Sequence, residues 1–318
     1  MVALDRRGKV DSERAAEESQ ATHPMTTGPF DRPQGASPPA MANHPSRPNP
    51  AMLVVPILLV VVTYLFWYQT WFGRRLSDQE MAEYLADTSV PHKTQHALAQ
   101  MGERMTHGDE SVKRWYPQVL ALAGSPQPQF RLTAAWVMGQ DSSSPAFHQA
   151  LRELLLDGQP AVRLNAALAL VRFRDAAAEP ELRLMLWPYT LRAPRAGVVK
   201  FLMKRGDAVK ASSLVARIEA AKGESEDVSA PLTGEIQDLI VPDGATVARD
   251  EPFMALSPGV DQVWECLRGL YFVGQAQDAE DIESFVRNTP RVPERVKQQA
   301  EITAQAIRSR TTLEQTRR

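Results

Sequence analysis

Residues 193 to 258 carry one pattern twice, and the chain between the copies is short. The first copy reads Ala193-Pro194-Arg195-Ala196-Gly197-Val198-Val199, then Gly206-Asp207-Ala208-Val209, then Leu214-Val215-Ala216-Arg217-Ile218-Glu219-Ala220. The second reads Ala230-Pro231-Leu232-Thr233-Gly234-Glu235-Ile236, then Gly244-Ala245-Thr246-Val247, then Phe253-Met254-Ala255-Leu256. Each copy opens on Ala-Pro-x-x-Gly, passes through a short β-rich run, turns at Gly-x-x-Val and ends in a second apolar run, the pattern of paired strands. Neither copy can bury its apolar face alone. The pattern therefore predicts two halves related by a pseudo-twofold axis, closed into a flattened sandwich of about eight strands and roughly 70 residues.

The joint between the halves is Ile218-Glu219-Ala220-Ala221-Lys222-Gly223-Glu224-Ser225-Glu226. With its lysine at the turn, residues 190–258 resemble the biotinyl/lipoyl carrier domain and the related barrel of membrane-fusion adaptor proteins in bacterial secretion and efflux systems. In carrier domains the hairpin between the halves bears the lysine that receives biotin or lipoate, so the resemblance implies Lys222 as the cofactor-binding residue. The chemistry needs an amine on a tight, projecting turn, and Gly223 suits such a turn. The flanks differ from the family pattern: biotin acceptors carry methionines beside the lysine and lipoyl acceptors an acidic residue before it, where this chain has Ala221 and Gly223. The glycine that usually precedes each second apolar run is Ser212 in one copy and Asp250 in the other.

A second duplication lies upstream. Pro128-Gln129-Phe130-Arg131-Leu132-Thr133-Ala134-Ala135-Trp136 aligns with Pro160-Ala161-Val162-Arg163-Leu164-Asn165-Ala166-Ala167-Leu168, a period of about 32 residues that falls in the range of helical solenoids. Val296-Lys297-Gln298-Gln299-Ala300 repeats the same signature after the barrel. These segments resemble HEAT-type repeats. Pro128 and Pro160 suit first helical positions, and Phe147, Leu151, Leu154 and Leu155 form an apolar stripe on a preceding helix. Arg131 and Arg163 recur at one repeat position, where we expect them to bond a neighbouring turn rather than line a binding face. The fold class expected is α+β: HEAT-like repeats over 77–186, an inserted all-β barrel over 190–258, C-terminal helices over 260–309 continuing the repeat unit, and a tail at 310–318.

At the N-terminal side, residues 1–50 are polar and rich in Pro, Ser and Gly, which predicts a disordered tail; Met41, just before the apolar run, is expected to be the true initiator. Residues 51–72 contain no charge and about twenty largely apolar positions, which predicts one transmembrane helix. Tyr64, Trp67, Tyr68 and Trp71 gather at its far end, and Arg74-Arg75 follow. The expected location is the bacterial inner membrane, with the arginine pair favouring a cytoplasmic body and a periplasmic one as the alternative.

The charge balance of 36 Lys plus Arg against 38 Asp plus Glu, net −2, gives no broad attraction to nucleic acid. The single cysteine, Cys266, has no intrachain disulfide partner and reads as a buried structural thiol. His92 and His96 stand one helical turn apart, but Lys93 occupies the place where a zinc protease carries its glutamate, so they read as surface histidines. No Gly-x-Ser-x-Gly elbow, phosphate-binding loop or Cys-x-x-Cys pair is present. No catalytic residue, metal site or small-molecule substrate is expected. The expected role is a membrane-anchored, non-enzymatic scaffold that binds proteins of a membrane complex and needs no cofactor. The alternatives are a carrier subunit with biotin or lipoate on Lys222, and a periplasmic adaptor of an export system.

Overall fold

The structure is a computed structural model and describes residues 51–67, 74–220, 223–289 and 292–317. The chain divides into two compact units, Met1–Phe66 and Trp67–Arg318. In the first, α1 is Ala51–Trp67. Its 17 residues rise about 25 Å at about 1.5 Å each, short of the bilayer's roughly 30 Å apolar core. The transmembrane helix expected over 51–72 is accordingly not found: among the described residues no helix is long and apolar enough to cross a membrane. The second part of that run, and the 1–50 tail with Met41, lie outside the described residues.

The second unit begins with helices α2 (Asp78–Ala86), α3 (Pro91–Thr106), α4 (Tyr116–Ala123), α5 (Pro128–Met138), α6 (Pro145–Leu154), α7 (Pro160–Arg172) and α8 (Glu179–Leu184). Proline occupies the first turn of α3, α4, α5, α6, α7 and α8, where its missing N–H is not needed and its fixed φ favours the helix. The helices pack in sequential pairs, α2 on α3, α4 on α5 and α6 on α7, and α3, α5 and α7 stack one on the next as an inner layer. After the strands come α9 (Val260–Val273), α10 (Asp278–Asn288) and α11 (Glu294–Arg317). α9 packs on α7 and α8, and α11 packs on α9 and α10, so the helical stack resumes where the strands interrupted it. Close packing depends on missing side chains. A Cβ on Gly139 would meet the Ala169 Cβ at 2.8 Å, and one on Gly269 would meet Leu182 Cδ1 at 2.8 Å. Of the 310–318 stretch expected as a tail, residues 310–317 continue helix α11, and Arg310 anchors them: its Nη2 donates to the Gly274 carbonyl at 2.9 Å.

Between α8 and α9 lie β1 (Tyr189–Arg192), β2 (Gly197–Phe201), β3 (Ala208–Val209), β4 (Leu214–Glu219), β5 (Ser225–Ser229), β6 (Gly234–Leu239), β7 (Thr246–Val247) and β8 (Pro252–Pro258). They form two four-stranded antiparallel sheets, ordered β1-β8-β6-β3 and β5-β4-β2-β7. Advancing each strand by four, cyclically, converts the first order into the second, which is the pseudo-twofold that the duplication predicts. The core between the sheets is Val199, Val215, Ile218, Leu232, Ile236, Phe253, Met254 and Leu256, all fully buried.

Candidate functional site

The duplicated motif acts through backbone geometry. In the first half the Ala193 N–H donates to Glu251 O at 2.9 Å while Ala193 O accepts from Asp250 N at 2.8 Å; in the second, Ala230 N–H donates to Ser213 O at 2.7 Å and Ala230 O accepts from Ser212 N at 2.8 Å. A Cβ on Gly197 would lie 2.6 Å from Glu219 O, and one on Gly234 would lie 2.0 Å from Ser257 O. Only glycine lets these strands approach so closely. Gly206 and Gly244, at φ 90° and 79°, occupy the matching Gly-x-x-Val turns and donate to Ile236 O and Val199 O. Ser212 and Asp250 take the left-handed region too, at φ 69° and 66°. Here the sequence departs from the family's glycine, yet the backbone keeps the glycine conformation.

The β4–β5 hairpin ends on the pair Glu219↔Ser225. The Ala220 N–H then donates to Glu224 O at 2.8 Å and the Gly223 N–H to Ala220 O at 3.0 Å, with Gly223 at φ 80°. A turn followed by a left-handed glycine is a standard short hairpin closure. Lys222 itself, with Ala221, lies outside the described residues. The turn's place in the barrel follows from its neighbours. Arg195, on the connection from β1 to β2, donates to Glu224 Oε2 at 2.9 Å, so the turn lies at the end where β1 leaves its sheet. Tyr189 and Pro258, where the barrel joins the helices, are at the other ends of β1 and β8, near Leu256 and Gly234 respectively. The described residues of this turn, Ala220, Gly223 and Glu224, thus lie at the barrel end away from the junction with the helical body.

Charges flank the hairpin in pairs. Lys200 Nζ meets Glu219 Oε2 at 2.8 Å and Arg217 Nε meets Asp227 Oδ1 at 2.6 Å. The Arg217 guanidinium holds the Asp227 carboxyl below its usual range. Both pairs are exposed, so their stabilisation is small.

In the helical body the recurring arginines bond turns. Arg131 Nε and Nη2 donate to both Asp157 oxygens at 2.6 and 2.9 Å, and its Nη1 donates to Ser125 O at 2.8 Å. Arg163 Nη1 donates to Asp157 O at 2.9 Å and its Nε to Glu181 Oε2 at 3.1 Å. A set of aspartates missed in the sequence completes this scaffold. Asp109, Asp141 and Asp175 each accept the N–H two residues on, from Ser111, Ser143 and Ala177, closing the loop after each inner helix. Their regular spacing and the shared Asp-x-Ser/Ala pattern were the available signal.

His92 is exposed, and His96 Nε2 lies 2.9 Å from Gln100 Nε2. Among the described residues no group of three potential metal ligands occurs. Cys266 is buried, and desolvation pushes its thiol well above the usual range.

A family model described as biotin-requiring enzyme matches residues 190–256, and a second, described as HEAT repeats, matches residues 116–188. The chain carries a biotin/lipoyl domain and HEAT repeats. A solved structure of a single-chain, multi-domain long-chain acyl-CoA carboxylase is similar over 30% of this chain at 20% identity, with a TM-score of 0.22. This chain spans only 10% of that enzyme's length. No curated protein matches the chain.

Proposed function

We propose that this chain is a non-catalytic subunit in which HEAT repeats dock partner proteins and hold out a biotin/lipoyl domain as a carrier, with Lys222 as the acceptor. One observation carries the reading: the β4–β5 turn, closed by the Ala220–Glu224 hydrogen bond with Gly223 at φ 80°, stands at the barrel end remote from the helices. Such a turn fits the group. Space around Gly223 is open, with nothing within 4 Å of where its Cβ would be. Bound biotin would carry a carboxyl group, and bound lipoate an acyl group. The chain's own part is to keep the hairpin rigid, through Gly197 and the paired strands, and to keep the helical body clear of it. Intact-mass measurement of the purified protein, with Lys222→Arg beside it, tests the reading: an adduct present in the parent and absent from the variant supports it.

A second reading is favoured by the turn's flanks. Ala221 and Gly223 put small residues beside Lys222 where ligases read larger or acidic ones, which suits an unmodified barrel serving as a docking module of a scaffold. An unshifted mass in the native host, with the hairpin intact, selects it. The periplasmic-adaptor alternative is not favoured, because β4 passes directly into β5 where adaptors insert a long helical hairpin. Partner proteins, and an inner-membrane location, belong to the same proposal; fractionation and co-purification from mild detergent test them.

A further inference from the structure

Helices α5, α7 and α9 leave a groove of about 470 Å³ on their shared face. Its floor is apolar, formed by Trp136, Leu168 and Phe272. Trp136 and Phe272 are 44% and 42% exposed, whereas Trp115, Phe130 and Phe147 in the same body are buried. Gly102 on α3 is built for the first of these rings: a Cβ there would sit 2.3 Å from the Trp136 ring, so the indole lies against bare backbone on one side. Water-facing aromatic surface gathered in a concave site marks a binding surface.

The rim is basic. Arg172 Nη1 donates to Gln140 Oε1 at 2.9 Å, and the Arg174 guanidinium stands 4.3 Å from the Phe272 ring centroid. Among the described residues neither arginine has a carboxylate partner. The groove's acid, Glu265, is already met by Arg268 Nη1 at 3.3 Å, and Arg268 also stacks on Trp264. The uncompensated charge around the aromatic floor is therefore positive.

We infer that this groove docks an acidic peptide segment of a partner protein, with an aromatic or large aliphatic side chain set on Trp136 and Phe272 and its carboxylates on Arg172 and Arg174. Three stacked helices at about 8–10 Å spacing span roughly 20 Å, the reach of about six extended residues, which suits a peptide better than a compact ligand. The inference rests on the docking half of the proposed function and not on modification of Lys222.

The test uses the full chain and fluorescence anisotropy. The probe is a fluorescein-labelled peptide of about eight residues with a central Phe flanked by Glu, compared with Lys-flanked and Phe-to-Ala versions. The Glu-Phe probe should bind at least about tenfold more tightly than either comparison peptide, and the preference should weaken with salt. Arg172→Glu with Arg174→Glu should lower its affinity at least about tenfold and raise that of the Lys-flanked peptide. Both arginines are exposed; Arg172→Gln with Arg174→Gln, expected to cost several-fold, serves if the reversal fails to fold. Equal binding of the Glu and Lys peptides, an unchanged affinity in the folded variants, or sedimentation showing a second copy seated in the groove would overturn the inference. Repeating the titration with Lys222→Arg separates the two proposals: unchanged peptide binding leaves the groove standing whatever the mass measurement finds.

Discussion

Ser212 and Asp250 occupy left-handed backbone at φ 69° and 66°, at equivalent positions of the two halves. An L side chain there costs roughly 1–2 kcal/mol, less for Asp, which tolerates this region. Ser212→Gly removes that strain and returns roughly 0.5–1 kcal/mol through the greater freedom of the unfolded chain, so the net expectation is a stabilisation of about 0.5–1 kcal/mol. Asp250→Gly should gain little, from nil to about 0.5 kcal/mol. Neither substitution touches the N–H bonds to Ala230 O and Ala193 O, so the turn survives. Ser212→Val should cost more than either gain, because a β-branched residue is strongly disfavoured at positive φ. Native-state hydrogen exchange suits the measurement, since amides of Val199 and Ile236 report the barrel's own opening free energy within the full chain. Those amides should exchange roughly two- to fivefold more slowly in Ser212→Gly if exchange proceeds through barrel opening. Unchanged or faster exchange in Ser212→Gly, or protection retained in Ser212→Val, would refute the strain argument.

Three further outcomes follow from buried groups and close contacts. Glu179, buried beside Asp278 and Arg183, has its carboxyl pushed up to about 7 from 4.5, first by burial and then by its hydrogen bond to Asp278. The folded state binds this proton more tightly, so stability falls as pH rises above about 4.5, and Glu179→Gln should flatten that fall, read by denaturant titration across pH. Asp157→Ala removes the bidentate partner of the partly buried Arg131 and should destabilise the helical body by about 2–4 kcal/mol, seen as a lowered melting midpoint by circular dichroism. Gly234→Ala should disrupt the barrel, because the new Cβ would lie 2.0 Å from Ser257 O; loss of hydrogen-exchange protection in β6 and β8, with the helices still protected, is the expected pattern.

The duplications made much of this architecture legible. Repeated Ala-Pro-x-x-Gly segments could only close as a symmetric pair; Ser212 and Asp250 stood out in the sequence as departures from the family's glycine, while their left-handed backbone is visible only in the structure. Pro128 and Pro160 announced helix starts, and the recurrence of Arg131 and Arg163 announced turn contacts. Other features left weaker traces. The Asp109, Asp141 and Asp175 caps fall in loops, where apolar periodicity says nothing. The packing of α9 on α7 joins residues separated by the whole barrel, a contact that no local pattern encodes. The groove escaped notice because the ring of Trp136 rests against Gly102, more than thirty residues away, a contact that no local pattern shows. The uncharged run from residue 51 read as a bilayer span from its composition, whereas its described helix ends at Trp67.

The most direct test of the carrier assignment is a peptide map of the protein purified from its native host, with streptavidin and anti-lipoate detection on the intact chain. A biotinyl or lipoyl adduct confined to the peptide containing Lys222, and lost in Lys222→Arg without change in melting temperature, is the expected result. An unmodified Lys222 at full occupancy, in a host whose other carrier domains are loaded, would contradict it.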